Sequence, residues 1–299
     1  MAYGPSGQRL RDVIGSGKRS FSFEFFPPKD DEGERLLWTA IRELEPLAPT
    51  FVSVTYGAGG GTRDRTVRIT DRIATETTLR PVGHLTCVGQ GVDQLRAIVG
   101  QYASGGVRDI LALRGDPPGG PGAPWRSHPG GLEHAAQLVE LVRSLGDFTV
   151  GVAAFCEGHP EASSLEQDAR VLADKARAGA QFAVTQLFFR AEDYFALVDR
   201  AAAVGCDIPI VPGIMPVTNL RQVQRFAELS GAAVPATVTD RLEPLRDDPV
   251  ALRTAGVELA TELCQALLAG GAPGLHYYTL NRSTATREIH AALGVSVGP

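Results

Sequence analysis

Short apolar runs of strand-like pattern alternate along the chain with longer segments whose apolar positions recur at helical spacing. The strand candidates are SFSFEF (20–25), FVSVTY (51–56), VGHLT (82–86), DILALR (109–114), TVGVAAF (149–155), FAVTQLFF (182–189), IPIVPGI (208–214) and LHYYTL (275–280). β-Branched and aromatic residues dominate them, as suits pleated strands. Between them lie helical patterns, beginning with DEGERLLWTAIRELEPL (31–47), whose first turn is acidic. Others follow at 63–77, 92–106, 132–146, 164–180, 191–205, 219–231 and 249–270, with a last one at 285–294. Those at 92–106 and 132–146 run into glycine, a C-terminal stop signal.

Eight strand–helix units predict parallel pairing with helices on the outside. Their extent suits a single α/β domain over 1–299, a (β/α)8 TIM barrel of ~250 residues with a short N-terminal helix. An open doubly wound sheet has the same strand count, and the pattern does not distinguish closure. The Pro/Gly-rich stretch 115–131 reads as a long loop after the fourth strand, and 232–249 is predicted to carry an extra short helix.

Composition narrows the function classes. With 34 acids against 29 bases the net charge is -5, and no basic arm favours nucleic acid. No apolar run approaches the ~20 residues that span a bilayer, and the N-terminus lacks the apolar core of a signal peptide. Four widely spaced cysteines without C-x-x-C suit reduced thiols in a cytoplasmic protein.

The polar residues gather at the C-terminal ends of the strands. Glu24 comes from the first, Thr55 from the second, His84 and Thr86 from the third, Arg114 and Asp116 from the fourth. The fifth runs into Glu157 and His159, the sixth into Gln186, the eighth into Asn281 and Arg282. In a barrel these ends share one face, where catalytic loops meet. Each has a plainer reading: Glu24 as an outward residue paired with a helix arginine, Arg114 and Asp116 as a salt bridge, Gln186 as a backbone partner, His84 as a core histidine. Their joint placement favours an enzyme.

Other motifs fit less well. The loop TYGAGGGTRDRT (55–66) suits phosphate at a helix N-terminus, but Thr62 stands where a dinucleotide fingerprint needs its third glycine. CEGHPE (156–161) matches no zinc spacing, so no metal is expected. The three lysines, Lys18, Lys29 and Lys175, lie off the strand ends, which argues against a Schiff-base aldolase.

SFEFFPPK, FVSVTYGAGGGTRDRT, HLTC, LALRGDPP, HPEA, TQLFF, PGIMPV and HYYTLNR occur in this order. In combination they make the chain resemble the bacterial methylenetetrahydrofolate reductases along nearly its full length. The resemblance implies a (β/α)8 barrel that binds FAD and no regulatory domain. The implied reaction, part of one-carbon metabolism and methionine biosynthesis, reduces 5,10-methylenetetrahydrofolate to 5-methyltetrahydrofolate with NADH or NADPH. A homo-oligomer is implied as well. By the same resemblance Glu24 is the general acid and Asp116 the carboxylate near flavin and folate. Thr55, Tyr56, Ala58, His84, Arg114, Gly115, Asp116, His134, Ala135, Phe155, His159, Ala162, Asp168 and Lys175 fall at FAD contacts. Gln186, Gln222, Phe226 and Arg282 fall at folate contacts. Phe155 stands where tyrosine is common, Cys156 where proline is usual, and His134-Ala135 where Tyr-Ala is frequent. Some relatives pass hydride from nicotinamide to folate without flavin, which is the nearest alternative. A flavin-free barrel lyase and a non-catalytic folate-binding protein are more distant ones.

The setting of Glu24 among Phe23, Phe25 and Phe26 predicts a desolvated carboxyl with a raised pKa, able to hold a proton near neutrality. Asp116, in a polar loop beside Arg114, is expected to act as the anionic electrostatic partner.

Overall fold

Alternation along the first strand sets the architecture. In β1 (Ser20–Phe25), Phe21, Phe23 and Phe25 join the large apolar layer beneath the helices, while Ser22 and Glu24 turn the other way. The computed structural model describes residues 8–56, 60–117, 119–120, 123–230, 232 and 234–294, with backbone alone at 60–62, 229 and 230. Ala58 lies outside the described residues.

The remaining strands are β2 (Phe51–Val54), β3 (Pro81–Thr86), β4 (Asp109–Leu113), β5 (Thr149–Ala154), β6 (Phe182–Thr185), β7 (Ile210–Val211), β8 (Gly213–Ile214) and β9 (Gly274–Tyr278). All pair in parallel, in the order β7-β6-β5-β4-β3-β2-β1-β9-β8. The segment read as one seventh strand is thus two short pieces divided by Pro212. β7 pairs with β6, and β8 pairs with β9. Proline has no N–H to give a ladder, so the strand breaks there. The Pro212 carbonyl still accepts from His276 N at 2.9 Å, which carries the sheet across the break and brings its two edges together. The result is a nearly closed α/β TIM barrel.

Helices surround it: α1 (Leu10–Ile14), α2 (Asp31–Leu44), α3 (Gly60–Glu76), α4 (Val92–Ser104), α5 (Ala135–Ser144), α6 (Leu165–Arg177), α7 (Ala191–Ala203), α8 (Leu220–Ser230), α9 (Ala236–Leu242), α10 (Pro249–Ala269) and α11 (Thr284–Ala292). Side-chain caps fix several starts. Asp30 accepts from Gly33 N at 2.8 Å before α2, and Ser164 accepts from Gln167 N at 3.1 Å before α6. Asp248 accepts from Val250 N and Ala251 N before α10, with Pro249 at its first position. The short helix expected within 232–249 is α9.

Helix α1 closes the base of the barrel. Leu10 and Ile14 pack with Phe51, Val82, Leu111, Phe182, Val184 and Val211 in an apolar plug inside the ring. The opposite, C-terminal end of the barrel is left to polar groups. Among the described residues no helix is long and apolar enough to cross a membrane.

Candidate active site

Register builds the centre of the site. Parallel pairing sets Glu24 beside Ser53 of β2 and Tyr278 of β9, and Ser22 beside His276 of β9. Neighbouring residues in register point to the same face of a sheet, so these side chains meet inside the ring. Three groups converge on one oxygen of Glu24, Oε2: Ser53 Oγ donates to it at 3.3 Å, His276 Nε2 lies 3.1 Å away and His84 Nε2 3.4 Å away. His276 Nδ1 is 2.8 Å from Ser22 Oγ, and its ring stacks on Phe51 with centroids 5.5 Å apart. Tyr278 meets the same ring edge-on at 5.4 Å and donates its hydroxyl to Thr185 O at 2.6 Å. Glu24 is 5% exposed.

This cluster corrects the reading of Glu24 as an acid among aromatics. Its sequence neighbours Phe23 and Phe25 lie on the far face of β1, under the helices, because strand side chains alternate. Burial, the largest influence, pushes the Glu24 carboxyl up. The charge on His84, the hydrogen bond and charge of His276 and the hydrogen bond from Ser53 outweigh it, and the carboxyl sits below its ordinary value. Burial also pushes the His84 imidazole down, partly opposed by Glu24, which disfavours charge on that ring. Of the lowering influences on Glu24 the His84 charge is the largest, and the hydrogen bonds at Oε2 add to it.

The loop after β9 is tied to the end of β1. Thr279 gives both its N–H (3.1 Å) and its hydroxyl (2.7 Å) to Glu24 O. Asn281, left-handed at φ 58°, accepts from Phe26 N at 2.8 Å and donates to Phe26 O at 2.9 Å. An amide side chain that bonds both backbone groups of one residue pins that loop as a β-neighbour would. Phe26 in turn faces Phe226 of α8, ring centroids 6.3 Å apart. Gln186 is half-buried just past β6, its N–H donated to Ala154 O at 2.7 Å.

A second, cationic group lies beyond β4 and β5. Arg114 forms a two-pronged pair with Glu161 at 2.6 and 2.7 Å, and its guanidinium stands 5.2 Å from the Trp125 ring centroid. The plainer reading of Arg114 and Asp116 as a salt bridge gives way to this pair, and Asp116 is exposed. Gly115 has φ +83°, and a Cβ there would stand 2.7 Å from Val88 Cγ1 and 2.9 Å from Thr86 Cβ, so only glycine lets the backbone turn so close to β3. His159 packs edge-on against Phe155 at 4.9 Å, and its Nδ1 accepts from Glu161 N at 3.1 Å. Ala162 N donates to His159 O at 2.8 Å. Burial and the Arg114 charge push His159 down, opposed by Glu161 and Asp168.

Lys175 belongs to α6, yet its Nζ donates to Ala153 O of β5 at 2.9 Å. Burial pushes its amine down to about 8, opposed by the charge of Asp168. Burial pushes Asp168 up, opposed by Lys175 and His159. A lysine read as remote from the strand ends thus reaches one of them.

Thr55 and Tyr56 lie just past β2, half-buried. Thr55 O accepts from Thr66 Oγ1 at 2.9 Å, and the Tyr56 hydroxyl donates to Gln90 Oε1 at 3.4 Å. His134 is the exposed N-cap residue of α5 and Ala135 is buried behind it. Gln222 and Arg282 are exposed. The structure thus brings Glu24 and His84 together and joins Arg114, His159, Asp168 and Lys175 in one electrostatic group. The side-chain contacts of Glu24 go to Ser53, His276 and His84, and not to Asp116, His134, Gln222 or Arg282. Sequence reasoning missed Ser22, Ser53, His276 and Glu161. Alternation in LHYYTL was the available signal for His276, since it puts His276 and Tyr278 on one face.

The donor set suits a flavin dinucleotide. Arg114 and Lys175 offer cations, and His84 Nε2 and Arg63 Nε are buried polar atoms without hydrogen-bond partners. Among the described residues no cluster of three or more His, Cys, Asp or Glu is arranged to hold a metal ion.

Comparisons with known proteins identify the family. The family model for methylenetetrahydrofolate reductase matches residues 9–294. The 5,10-methylenetetrahydrofolate reductase of Escherichia coli K12 is 41% identical over 291 residues, covering 97% of this chain and 95% of that one. The enzyme of Pectobacterium carotovorum is 43% identical over 279 residues, covering 93% and 91%. Methylenetetrahydrofolate reductase (NADH) 1 of Arabidopsis thaliana is 36% identical, and the chain spans 50% of its length. Among solved structures, a Clostridium thermocellum protein that binds two copies of 5-methyl-5,6,7,8-tetrahydrofolic acid has a TM-score of 0.65 at 14% identity, covering 94% and 96% of the two chains. At that identity it attests the barrel alone. With the family model spanning almost every described residue and bacterial relatives matched nearly end to end, the chain belongs to the methylenetetrahydrofolate reductase family.

Proposed function

We propose that this family member reduces 5,10-methylenetetrahydrofolate to 5-methyltetrahydrofolate at the C-terminal rim of the barrel, with FAD as cofactor and NADH or NADPH as reductant. The observation that carries the proposal is Glu24, held nearly out of solvent with Oε2 engaged from three strands. The names of the bacterial relatives favour the same substrate, and the NADH of the plant relative's name favours that reductant.

Reduction needs the folate's one-carbon bridge opened first. Glu24 gives a proton to the bridging ring nitrogen, the carbon–nitrogen bond breaks and an iminium forms at the one-carbon unit. The hydrogen bonds at Oε2 stabilise the carboxylate left behind, so a carboxyl below its ordinary value gives its proton readily. Asp116, exposed just past β4, would stabilise the cation that develops. FAD, when bound, supplies the hydride carrier between nicotinamide and that carbon. Arg114, with Lys175 behind it, would balance the pyrophosphate charge, and Gly115 lets the backbone come close. Phe226, facing Phe26 just past β1, and Gln186, just past β6, would hold the folate, and Gln222 and Arg282 would reach it from exposed positions.

The test is direct. The purified protein should be yellow, bleach on addition of NADH or NADPH under anaerobic conditions, and regain colour on addition of 5,10-methylenetetrahydrofolate with formation of the 5-methyl product. A colourless protein that makes the same product would favour hydride transfer straight from nicotinamide. No product from either form would refute the reductase reading.

A further inference from the structure

The acid reading of Glu24 leaves open which of its oxygens delivers the proton. All three polar neighbours meet Oε2, and Oε1 takes part in none of these contacts. His276 is the only one of the three tied at both ring nitrogens. It is 1% exposed, and Phe51 stacks on its face.

Hydrogen counting shows what the ring does. The Ser22 hydroxyl has one hydrogen and two acceptors within reach, His276 Nδ1 at 2.8 Å and Leu275 O at 3.4 Å. If it donates to Nδ1, the ring hydrogen sits on Nε2 and points at Oε2. If it donates to Leu275 O, Nδ1 donates to Ser22, and the hydrogen between Nε2 and Oε2 comes from a charged ring or from the carboxyl. In each arrangement that makes the 3.1 Å Nε2–Oε2 contact a hydrogen bond, one proton occupies that line. Oε2 is therefore committed to the barrel interior.

We propose that His276, fixed by Ser22, is the positioning residue for Glu24, holding Oε2 inward so that Oε1 presents the transferable proton to the folate. The inference rests on the acid role proposed for Glu24. The titratable and charged groups that face the carboxyl are His84 from β3 and His276 and Tyr278 from β9. Ser53 adds a hydroxyl from β2 and Ser22 one from β1. Removing the His276 contact leaves burial less opposed, so the Glu24 carboxyl rises.

Two amide variants separate the ring's two bonds. His276→Gln extends an amide toward the place of Nε2 and keeps the bond to Glu24; His276→Asn reaches only the place of Nδ1 and keeps the bond to Ser22. The expected result is that His276→Asn lowers kcat for folate reduction by about ten- to a hundredfold with little change in the folate KM, while His276→Gln stays within about threefold of the parent. Carbon-13 NMR of labelled glutamate, assigned against Glu24→Gln, should show the Glu24 titration moved up by about one pH unit in His276→Asn and much less in His276→Gln. Ser22→Ala, which keeps the ring and removes one small hydroxyl, should fall between them. Equal behaviour of the Asn and Gln variants in both measurements, or an unmoved Glu24 titration, overturns the inference. If the parent protein makes no 5-methyl product, the acid reading falls, and the titration alone still decides whether His276 governs Glu24.

Discussion

Arg114 and Glu161 hold each other by two parallel hydrogen bonds of 2.6 and 2.7 Å, across the ends of β4 and β5. The resemblance assigns this guanidinium to the cofactor, so Glu161 occupies the place of the anion it would meet. The carboxyl of Glu161 is held below its ordinary value, first by the hydrogen bond from Arg114. Its side chain is 49% exposed, where water weakens the pair to about 0–1 kcal/mol. On the proposed reading, a cofactor phosphate would displace it at small cost. Arg114→Ala should weaken FAD binding about ten- to a hundredfold, the usual loss of a charge-assisted contact. Glu161→Gln should strengthen it by no more than about fivefold, as the competitor is lost. Flavin fluorescence titration measures both, and equal weakening by the two substitutions would show that Glu161 supports the cofactor instead of standing in for it.

The second prediction concerns pH and Glu24. A carboxyl whose folded value lies below the ordinary one is mostly ionised between pH 5 and 8. Its protonated fraction then grows about tenfold for each pH unit of acidification. Folate reduction by the parent protein should accelerate as pH falls through that range, with a slope close to −1 in log kcat/KM. The raised pKa read from the sequence predicts a plateau there instead. Glu24→Gln should lower folate reduction by about 10²- to 10⁴-fold and flatten the residual profile, while nicotinamide oxidation by a quinone continues. Stopped-flow measurement of the two half-reactions checks it; equal loss of both would remove the acid role.

The difference between those two profiles shows how the sequence could be read and where it could not. Strand–helix alternation carried the barrel, since each apolar run had to bury itself between helices on one side and the ring's interior on the other. The partners of Glu24 were not legible in SFEFFPPK. Its flanking phenylalanines are neighbours along the chain and strangers in space, whereas Ser53 and His276 come from strands 29 and 252 residues away. Register supplied them, and register depends on barrel closure. That closure runs through Pro212, which the sequence placed inside one strand and the structure uses to divide two. Lys175 lies in a helix as read, but its reach was not legible for a related reason: a helical position fixes where a side chain starts, and its four-carbon stem reached Ala153 of β5. The short helix α9 and the glycine stops were legible because their signals are local.

At the other end of the molecule, Leu10 tests whether the plug is structural. It is fully buried within the ring together with Ile14 and Phe182. Leu10→Ala removes apolar contacts where rigid strands limit collapse, and a loss of about 2–5 kcal/mol is expected. For a domain of this size that corresponds to roughly 3–8 °C in Tm. Flavin affinity should hold within about twofold at temperatures where the variant is folded, since the plug and the cofactor rim are at opposite ends of the strands. Differential scanning calorimetry and flavin titration on the same preparation measure both quantities. A large loss of affinity with little change in Tm would mean that α1 bears on the site.

Lys175 offers a test in which two pH dependences run in opposite directions. Burial holds its amine at about 8 in the folded protein against 10.5 ordinarily. Between those values the unfolded chain binds more protons than the folded one, so this residue makes cofactor-free stability rise with pH from about 8 upward. A pyrophosphate beside Arg114 and Lys175 favours the charged amine, so binding takes up a proton above pH 8, and FAD affinity should fall there by at most tenfold per pH unit. Lys175→Met should weaken FAD binding at pH 7 and abolish both trends relative to the parent. Thermal unfolding without flavin and fluorescence titration with it, at pH 7, 8, 9 and 10, separate the two. If the parent and Lys175→Met run parallel in either series, the amine is not the group that titrates, and its place at the cofactor would have to be given up.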